Sequence, residues 1–365
     1  MLYRAIGVMS GSSLDGLDIA FVEFLYQGGS WSFEIMAADC KPYSPDWKAK
    51  LQGAIALNAL DYQLLHAEYG HYLGQEINQF IDDNNLHYKV ALVGSHGHTT
   101  FHVPPAMTAQ LGDGAAIAAE TGLPVVSDLR ALDVALGGQG APIVPIGEKL
   151  LLKDYDFYLN LGGIANLSFR REDAYMAFDV CPANRVLNMV IQKEGKEYDA
   201  GGEMASGGAV HQGLLQKLNG LAYYSMPFPK SLANSFGTDE VYPLVSSFQI
   251  STTDALRTYV EHIVEQLKLA IVQQLENNPE RPGLRLLTTG GGALNSFLIR
   301  RLAEELQPYQ VEVVVPDEKL VQYKEALIMA FMGVLRWRQE YNVFASVTGA
   351  QRDSIGGALW IGQDA

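Results

Sequence analysis

Apolar positions along the chain come in short alternating or continuous runs, broken by glycine. Residues 3–9 and 17–25 have the pattern of strands, with Gly11, Gly16 and polar residues between them. This predicts a β-hairpin with SGSSLDG at its tip. Within 61–81, Leu65, Tyr69, Leu73, Ile77 and Ile81 recur every fourth residue, the stripe of an amphipathic helix. Val90–Val93 predicts a short buried strand ending at Gly94, and LPVVSDLR another ending near Asp128. The run Leu136–Pro145, LGGQGAPIVP, predicts a loop and a hinge.

FYLNLGGIANLSF, Phe157–Phe169, repeats the strand–glycine–strand grammar of the opening about half a chain later, which suggests an internal duplication. MAFDVCPANRVLNMVI predicts a strand, a tight loop at Asp179–Pro182 and a helix started by Pro182. A long helix follows, capped by Thr252, Thr253 or Asp254, with Leu256, Tyr259, Ile263, Leu267 and Ile271 as its apolar face. LRLLTTGGGALN predicts a strand, three glycines and a helix beginning near Asn295. VEVVVP is a further strand, and KEALIMAFMGVL a helix whose Ala and Gly suit close packing. The order is that of an α/β chain.

With 365 residues, two domains are expected, and 48% hydrophobic against 18% charged residues suffices for a sizeable core. A net charge of −15 with no basic block argues against a nucleic-acid partner. Cys40 and Cys181 are too few for a disulfide framework, which fits a reducing cytoplasm. The first apolar run is too short for a signal peptide, and none approaches the roughly 18 residues of a membrane span.

Candidate chemistry sits at the glycine turns. The opening turn can cradle an anion with backbone N–H groups, yet Asp15 and Asp18 follow at once. A Walker-type loop would carry a lysine and lead into a helix, and this one does neither. Asp18 could instead cap the hairpin turn. Gly290, Gly291 and Gly292 could admit a nucleotide to the backbone or form a plain tight turn. Asp179 ends a strand, where catalytic carboxylates of α/β folds sit, or caps the next helix. His96, His98 and His102 match no standard zinc spacing. Cys181 has no activating neighbour in sequence and reads as a small buried hydrophobe.

Two glycine hairpins followed by a strand–GGG–helix unit resemble the actin-like ATPase superfamily of sugar kinases, heat-shock chaperones and actins. The ordered segments SGSSLDGLD, SHG at 95–97, SDLRALDVALGGQGAPIVP, LNLGGIANLS, FDVCPANRVLN, TTGGGALN, KEAL at 324–327 and SVTGA at 346–350 narrow this. Together they resemble the anhydro-N-acetylmuramic acid kinases, from Gly7 to Gly357.

The resemblance implies an α/β fold of two ribonuclease-H-like domains with a nucleotide cleft between them, expected over 1–126 plus 343–365 and over 127–342. It implies that Gly11, Ser12, Ser13, Leu14, Asp15, Gly16, Leu17 and Asp18 bind ATP, with Gly162, Gly163, Gly290, Gly291, Gly292 and Asn295. The paired carboxylates Asp15 and Asp18 then make sense if Mg²⁺ lies between them and the phosphates. Asp15, Arg130 and Glu325 would contact the sugar; Glu325 could otherwise be an ordinary exposed helix residue. Asp179 would be the base that activates water to attack the anomeric carbon of a 1,6-anhydro sugar, while the departing 6-oxygen takes the γ-phosphoryl group. A homodimer in the cytoplasm, acting in cell-wall amino-sugar recycling without nucleic-acid or membrane partners, is also implied. The alternatives are another anhydro or amino sugar, or a non-catalytic ATP-gated binding protein.

The chain also departs from the family pattern. Thr-Gly-Pro-Gly-Asn after the aspartate is here Val180-Cys181-Pro182-Ala183-Asn184, and a later aspartate is Asn188. Lys-Ser-Thr-Gly-Arg-Glu survives as Lys230-Ser231, followed by Leu232-Ala233-Asn234-Ser235, and His98 replaces a glutamine. The lost glycines predict a differently shaped pocket floor.

Overall fold

The computed structural model describes residues 1–11, 14–171, 174–227, 230–233, 235–276 and 283–362. Its first strands are β1 (Leu2–Ser10), β2 (Gly16–Gln27), β3 (Ser30–Pro42), β4 (Leu92–Val103), β5 (Met107–Leu111) and β6 (Val125–Ser127). Then come β7 (Phe157–Leu161), β8 (Ile164–Arg171), β9 (Ala174–Pro182), β10 (Leu284–Thr289), β11 (Val311–Val314) and β12 (Ala358–Trp360).

The chain divides into unit 1, Met1–Lys153 with Tyr323–Ala365, and unit 2, Asp154–Gln322. The expected boundaries after 126 and 342 both fall inside unit 1. Residues 127–153 stay with unit 1 because its loops and short helices are tied there. The Gly140 N–H donates to Asp133 Oδ2 at 2.7 Å, the Gln139 N–H donates to the Thr348 carbonyl at 2.8 Å, and Gly147 packs on Ile328. The run Leu136–Pro145, expected as a hinge, is therefore pinned within one unit. The second crossing coincides with a break in the helix Glu318–Trp337, where Tyr323 takes non-helical angles (φ −112°, ψ 15°).

Each unit is built on the same sheet. In unit 1, β1–β2–β3 form an antiparallel meander, β4 runs parallel to β1, and β6 parallel to β4. In unit 2, β7–β8–β9 form the meander, with β10 parallel to β7 and β11 parallel to β10. The spatial orders β6-β4-β1-β2-β3 and β11-β10-β7-β8-β9 match strand for strand. That is the ribonuclease-H-like order in both units. Unit 1 adds β12 beside β6 and β5 beside β4.

Helices cover these sheets as their stripes foretold. Leu65, Tyr69, Leu73, Ile77 and Ile81 are all buried in unit 1, and Leu256, Tyr259, Ile263, Leu267 and Ile271 in unit 2. Each Leu or Ile among them contributes about 1.5–3 kcal/mol of transfer free energy. The helix Glu318–Trp337 packs backbone to backbone on the unit 1 sheet. A Cβ on Gly7 would lie 1.8 Å from the Ala326 carbonyl oxygen, and one on Gly94 2.1 Å from that of Met329.

Three local expectations differ. β3 was missed because it buries few positions, Trp31 and Ile35 among them. β4 does not stop at Gly94 but runs through SHGHTT, whose Ser95, His96 and His98 are buried. Asp179–Pro182 is the end of β9 rather than a tight loop, since Cys181 pairs with Ala165 and Pro182 with Ile164. The next helix starts at Asn184, two residues after Pro182.

Candidate functional site

The expected site residues form two groups, one in each unit. In unit 1 the opening hairpin leaves Leu14 in a left-handed conformation (φ 58°), so Asp15 follows a sharp turn. Ser12 and Ser13 lie outside the described residues. Asp18 lies within β2, paired with Met9 and Cys40, and so is no turn cap. Burial pushes its carboxyl up to about 6, opposed by a hydrogen bond from the Cys40 thiol and reinforced by the Glu325 and Asp15 carboxylates. Cys40 in turn is pushed up to about 12 by burial and by Asp18, so it holds its proton and donates.

Glu325 also faces Arg130. Burial draws the Arg130 guanidinium down to about 10, against the opposing pull of Glu325 and Asp133. Glu325 is half-buried, not an ordinary exposed helix glutamate. Its preceding residue, Lys324, forms an ion pair with Glu148 at 3.3 Å, both side chains 4% exposed. Arg130 donates through Nε to His96 Nε2 at 2.8 Å and through Nη1 to the Gly140 carbonyl at 2.6 Å. His96 must then carry its proton on Nδ1, which donates to the Gly97 carbonyl at 2.8 Å. Burial and Arg130 drive this imidazole down to about 3, so it stays neutral. Asp15, Asp18, Arg130 and Glu325 thus share one electrostatic neighbourhood in unit 1. Among the described residues no three His, Cys, Asp or Glu side chains converge as a metal site. A Mg²⁺ carried with a nucleotide needs only one or two carboxylates, and hard oxygens beside a raised Asp18 fit it.

His98, where the family has glutamine, joins another chain of contacts. Its Nδ1 lies 3.0 Å from Ser10 Oγ, which accepts from Tyr43 at 2.8 Å, and Tyr43 meets Tyr69 at 2.5 Å. Ser10 closes β1 just before the glycine turn, so this buried chain fixes the hairpin's stem.

In unit 2, Asp179 is held on every side. Asn166, opposite it on β8, donates to Oδ1, and the Leu232 N–H donates to Oδ2 at 2.7 Å. Its own N–H donates to the Lys230 carbonyl at 3.0 Å, and its carbonyl accepts from Tyr223 at 2.6 Å. Burial raises its carboxyl above the usual range, against those two donors. It does not cap the following helix, whose N-cap is Ala183. Lys230 has its ammonium 3.0 Å from the Tyr223 carbonyl and 4.5 Å from that ring's centre, and burial lowers it.

The second glycine hairpin and the triple-glycine turn meet around Asn184. Its N–H donates to the Gly162 carbonyl at 3.1 Å and its amide to the Leu161 carbonyl at 3.0 Å. A Cβ on Gly290 or Gly292 would collide with Asn160 or Leu161 at 2.4 and 2.7 Å. One on Gly291 would meet only Asn184 Nδ2, at 3.8 Å. Gly291 thus presents bare backbone for no reason of packing. Asn295 caps the helix Ser296–Leu306 by accepting from the Leu298 N–H at 3.0 Å. The family departures Val180, Cys181 and Ala183 lie inside the unit 2 core, exposed by 3%, 0% and 0%. They fill the core rather than line a pocket floor. Asn234 lies outside the described residues.

The chain matches the family described as anhydro-N-acetylmuramic acid kinase over residues 3–362. The chain belongs to that family. The kinase of that name from Haemophilus influenzae is 32% identical over 97% of both chains, and that from Hydrogenovibrio crunogenus 33% over 97% of both. Among solved structures, the activator of 2-hydroxyisocaproyl-CoA dehydratase from Clostridium difficile with bound ADPNP covers 92% of this chain and 97% of its own, at 13% identity and a TM-score of 0.41. So distant a likeness carries no weight; the fold rests on the sheet order. As a member of this family the chain is a kinase.

Residues the sequence did not single out for a role at the site are Asn166, Tyr223 and Cys40. Asn166 and Cys40 reach the aspartates through strand pairing, a signal visible only once register is known. Tyr223 sits in the short turn Ala222–Ser225, which has no motif.

Proposed function

We propose that this protein uses ATP to open 1,6-anhydro-N-acetylmuramic acid and yields N-acetylmuramic acid 6-phosphate, in cell-wall recycling. Family membership supports the substrate, and the observation that carries the chemistry is the setting of Asp179. Each carboxylate oxygen accepts one hydrogen bond from a neutral donor, so lone pairs remain for a proton. No cation is paired with it in the described contacts that raise or lower it, and burial raises its affinity for a proton toward that of a working base.

Asp179 takes a proton from water as the water oxygen bonds to the anomeric carbon. The bond from that carbon to the 6-oxygen breaks, and the 6-oxygen takes the γ-phosphoryl group as ADP leaves. Arg130 and Glu325 hold the sugar, with Arg130 fixed by neutral His96. Gly162, Gly163, Gly290, Gly291 and Gly292 give the nucleotide access to backbone. Asn295 acts by shaping the turn it caps and the helix behind it. Asp15 and Asp18 would hold Mg²⁺, which neutralises phosphate charge. A homodimer accompanies this reading; among the described residues no helix is long and apolar enough to cross a membrane.

The test is phosphoryl transfer from ATP to a panel of anhydro and reducing amino sugars, with products weighed by mass spectrometry and water labelled with ¹⁸O. The label belongs at the anomeric carbon and the phosphate on the 6-oxygen. Phosphorylation without label would leave a plain hydroxyl kinase and reject the ring-opening step.

A further inference from the structure

The turn at Gly162–Gly163 lies beside a cation that no described residue neutralises. Arg185 is the second residue of the helix Asn184–Ile191. A Cβ built on Gly163 would meet its Nε at 3.6 Å and Nη2 at 3.7 Å, and one on Gly237 would meet its Cδ at 3.5 Å. The guanidinium therefore lies along the hairpin tip, with its stem against Gly237. Its Nε is buried and has no hydrogen-bond partner. Among the described residues Arg185 makes no ion pair, whereas Arg301 in the same unit contacts Glu261, Glu304 and Glu305.

The half-buried guanidinium keeps its outer nitrogens accessible, but its buried Nε–H loses its hydration and gains no acceptor in return. Such groups persist where a ligand supplies the acceptor. The turn beside it tells the same story from the other direction. A Cβ on Gly162 or Gly163 would make only ordinary contacts, at 3.5 Å or more. Packing within unit 2 does not demand glycine there. Bare backbone next to this guanidinium leaves room for something outside the chain, and an anionic oxygen is the acceptor that best matches it.

We infer that Arg185 binds an anionic oxygen of a ligand seated over the Gly162–Gly163 turn. This rests on the proposed function, which supplies two such oxygens: a phosphoryl oxygen of the nucleotide and the lactyl carboxylate of the sugar. The planar guanidinium fork fits either.

The full chain and its R185Q and R185K variants are titrated calorimetrically with two ligand pairs. One is ADP against adenosine. The other is 1,6-anhydro-N-acetylmuramic acid against 1,6-anhydro-N-acetylglucosamine, which lacks the carboxylate. R185Q weakens the anionic member of one pair by about ten- to a hundredfold, the worth of a charged hydrogen bond, and leaves its neutral counterpart unchanged. The pair that responds identifies the source of the anion. R185K, with a point charge but no fork, falls between. Without ligand, R185Q melts no lower than the parent, because the half-buried side chain has no ion pair among the described residues to lose and its buried Nε has no hydrogen bond to lose. Equal affinities in parent and R185Q, or equal losses for charged and neutral members, would overturn the inference. If the parent phosphorylates no sugar, the proposed function fails, while ADP against adenosine still decides the role of Arg185.

Discussion

Replacing Asp18 by Asn isolates what the charge at this position costs the empty protein. The amide keeps the side chain's shape and can still accept from the Cys40 thiol. What it removes is a negative charge that is desolvated and lies near Glu325 and Asp15. Moving the carboxyl from 3.8 to about 6 corresponds to about 3 kcal/mol, at 1.36 kcal/mol per pH unit. Asp18 is only half-buried, so this is an upper figure. The sign follows from proton counts. Below 3.8 both folded and unfolded chains hold the proton. Between 3.8 and about 6 the unfolded chain loses it first, so stability falls as pH rises, and the loss is complete above about 6. Asp18→Asn is therefore expected to raise the urea midpoint at pH 8 and to raise it much less at pH 4.5. On the proposed function turnover also falls in the same variant, because a cation beside the phosphates would lose one of its carboxylates. A stability difference that is the same at both pH values, or a loss at pH 8, would show that the burial cost of this charge has been misread.

Asp179→Asn should lower turnover by roughly 10²–10⁴ while nucleotide affinity holds. Because both Asp179 oxygens accept hydrogen bonds, the new amide NH₂ must face a donor, so thermal melting should also show a modest loss of about 1–3 kcal/mol. Gly291→Leu should leave the melting temperature of the empty protein nearly unchanged and weaken ADP binding in titration, whereas Gly292→Ala should destabilise the empty protein by collision with Leu161. Lys324→Met removes the buried ion pair with Glu148 and should lower the urea midpoint, with part of that loss recovered in the double variant carrying Glu148→Gln.

Much of this arrangement was legible in residue order. The two glycine hairpins, the helix stripes and the strand–GGG–helix unit are local patterns, and each formed where its spacing placed it. The duplication heard in LNLGGIANLS proved to be a repeat of whole-sheet topology. What escaped depends on contacts distant in sequence. β4 continues through SHGHTT because His96 meets Arg130 and His98 meets Ser10, and no window of sequence contains those pairs. The boundary after Lys153 rather than 126 follows from loops tied by Asp133 and Thr348, which lie 215 residues apart. At the site, Asp179 was legible as a strand-end carboxylate, yet the donors that hold it come from β8 and from the segment at Leu232. The substitutions at Val180, Cys181 and Ala183 looked like changes to a pocket because sequence does not reveal which way a strand residue faces.

The contact of Gly7 and Gly94 with the Glu318–Trp337 helix acts as a gauge for the chemistry above it. At Gly7 and Gly94 no side chain stands between helix and sheet, so at these points the height of Glu325 over the strand ends is set by backbone against backbone. A single added methyl at either glycine would act as a shim, lifting the helix and carrying Glu325 away from Arg130. If Glu325 and Arg130 hold the sugar as proposed, such a variant would read in an activity screen as an active-site lesion, though neither residue had been altered. The seam thus limits how this enzyme can diversify: evolution can exchange the groups that ride on the helix far more freely than the empty space beneath it.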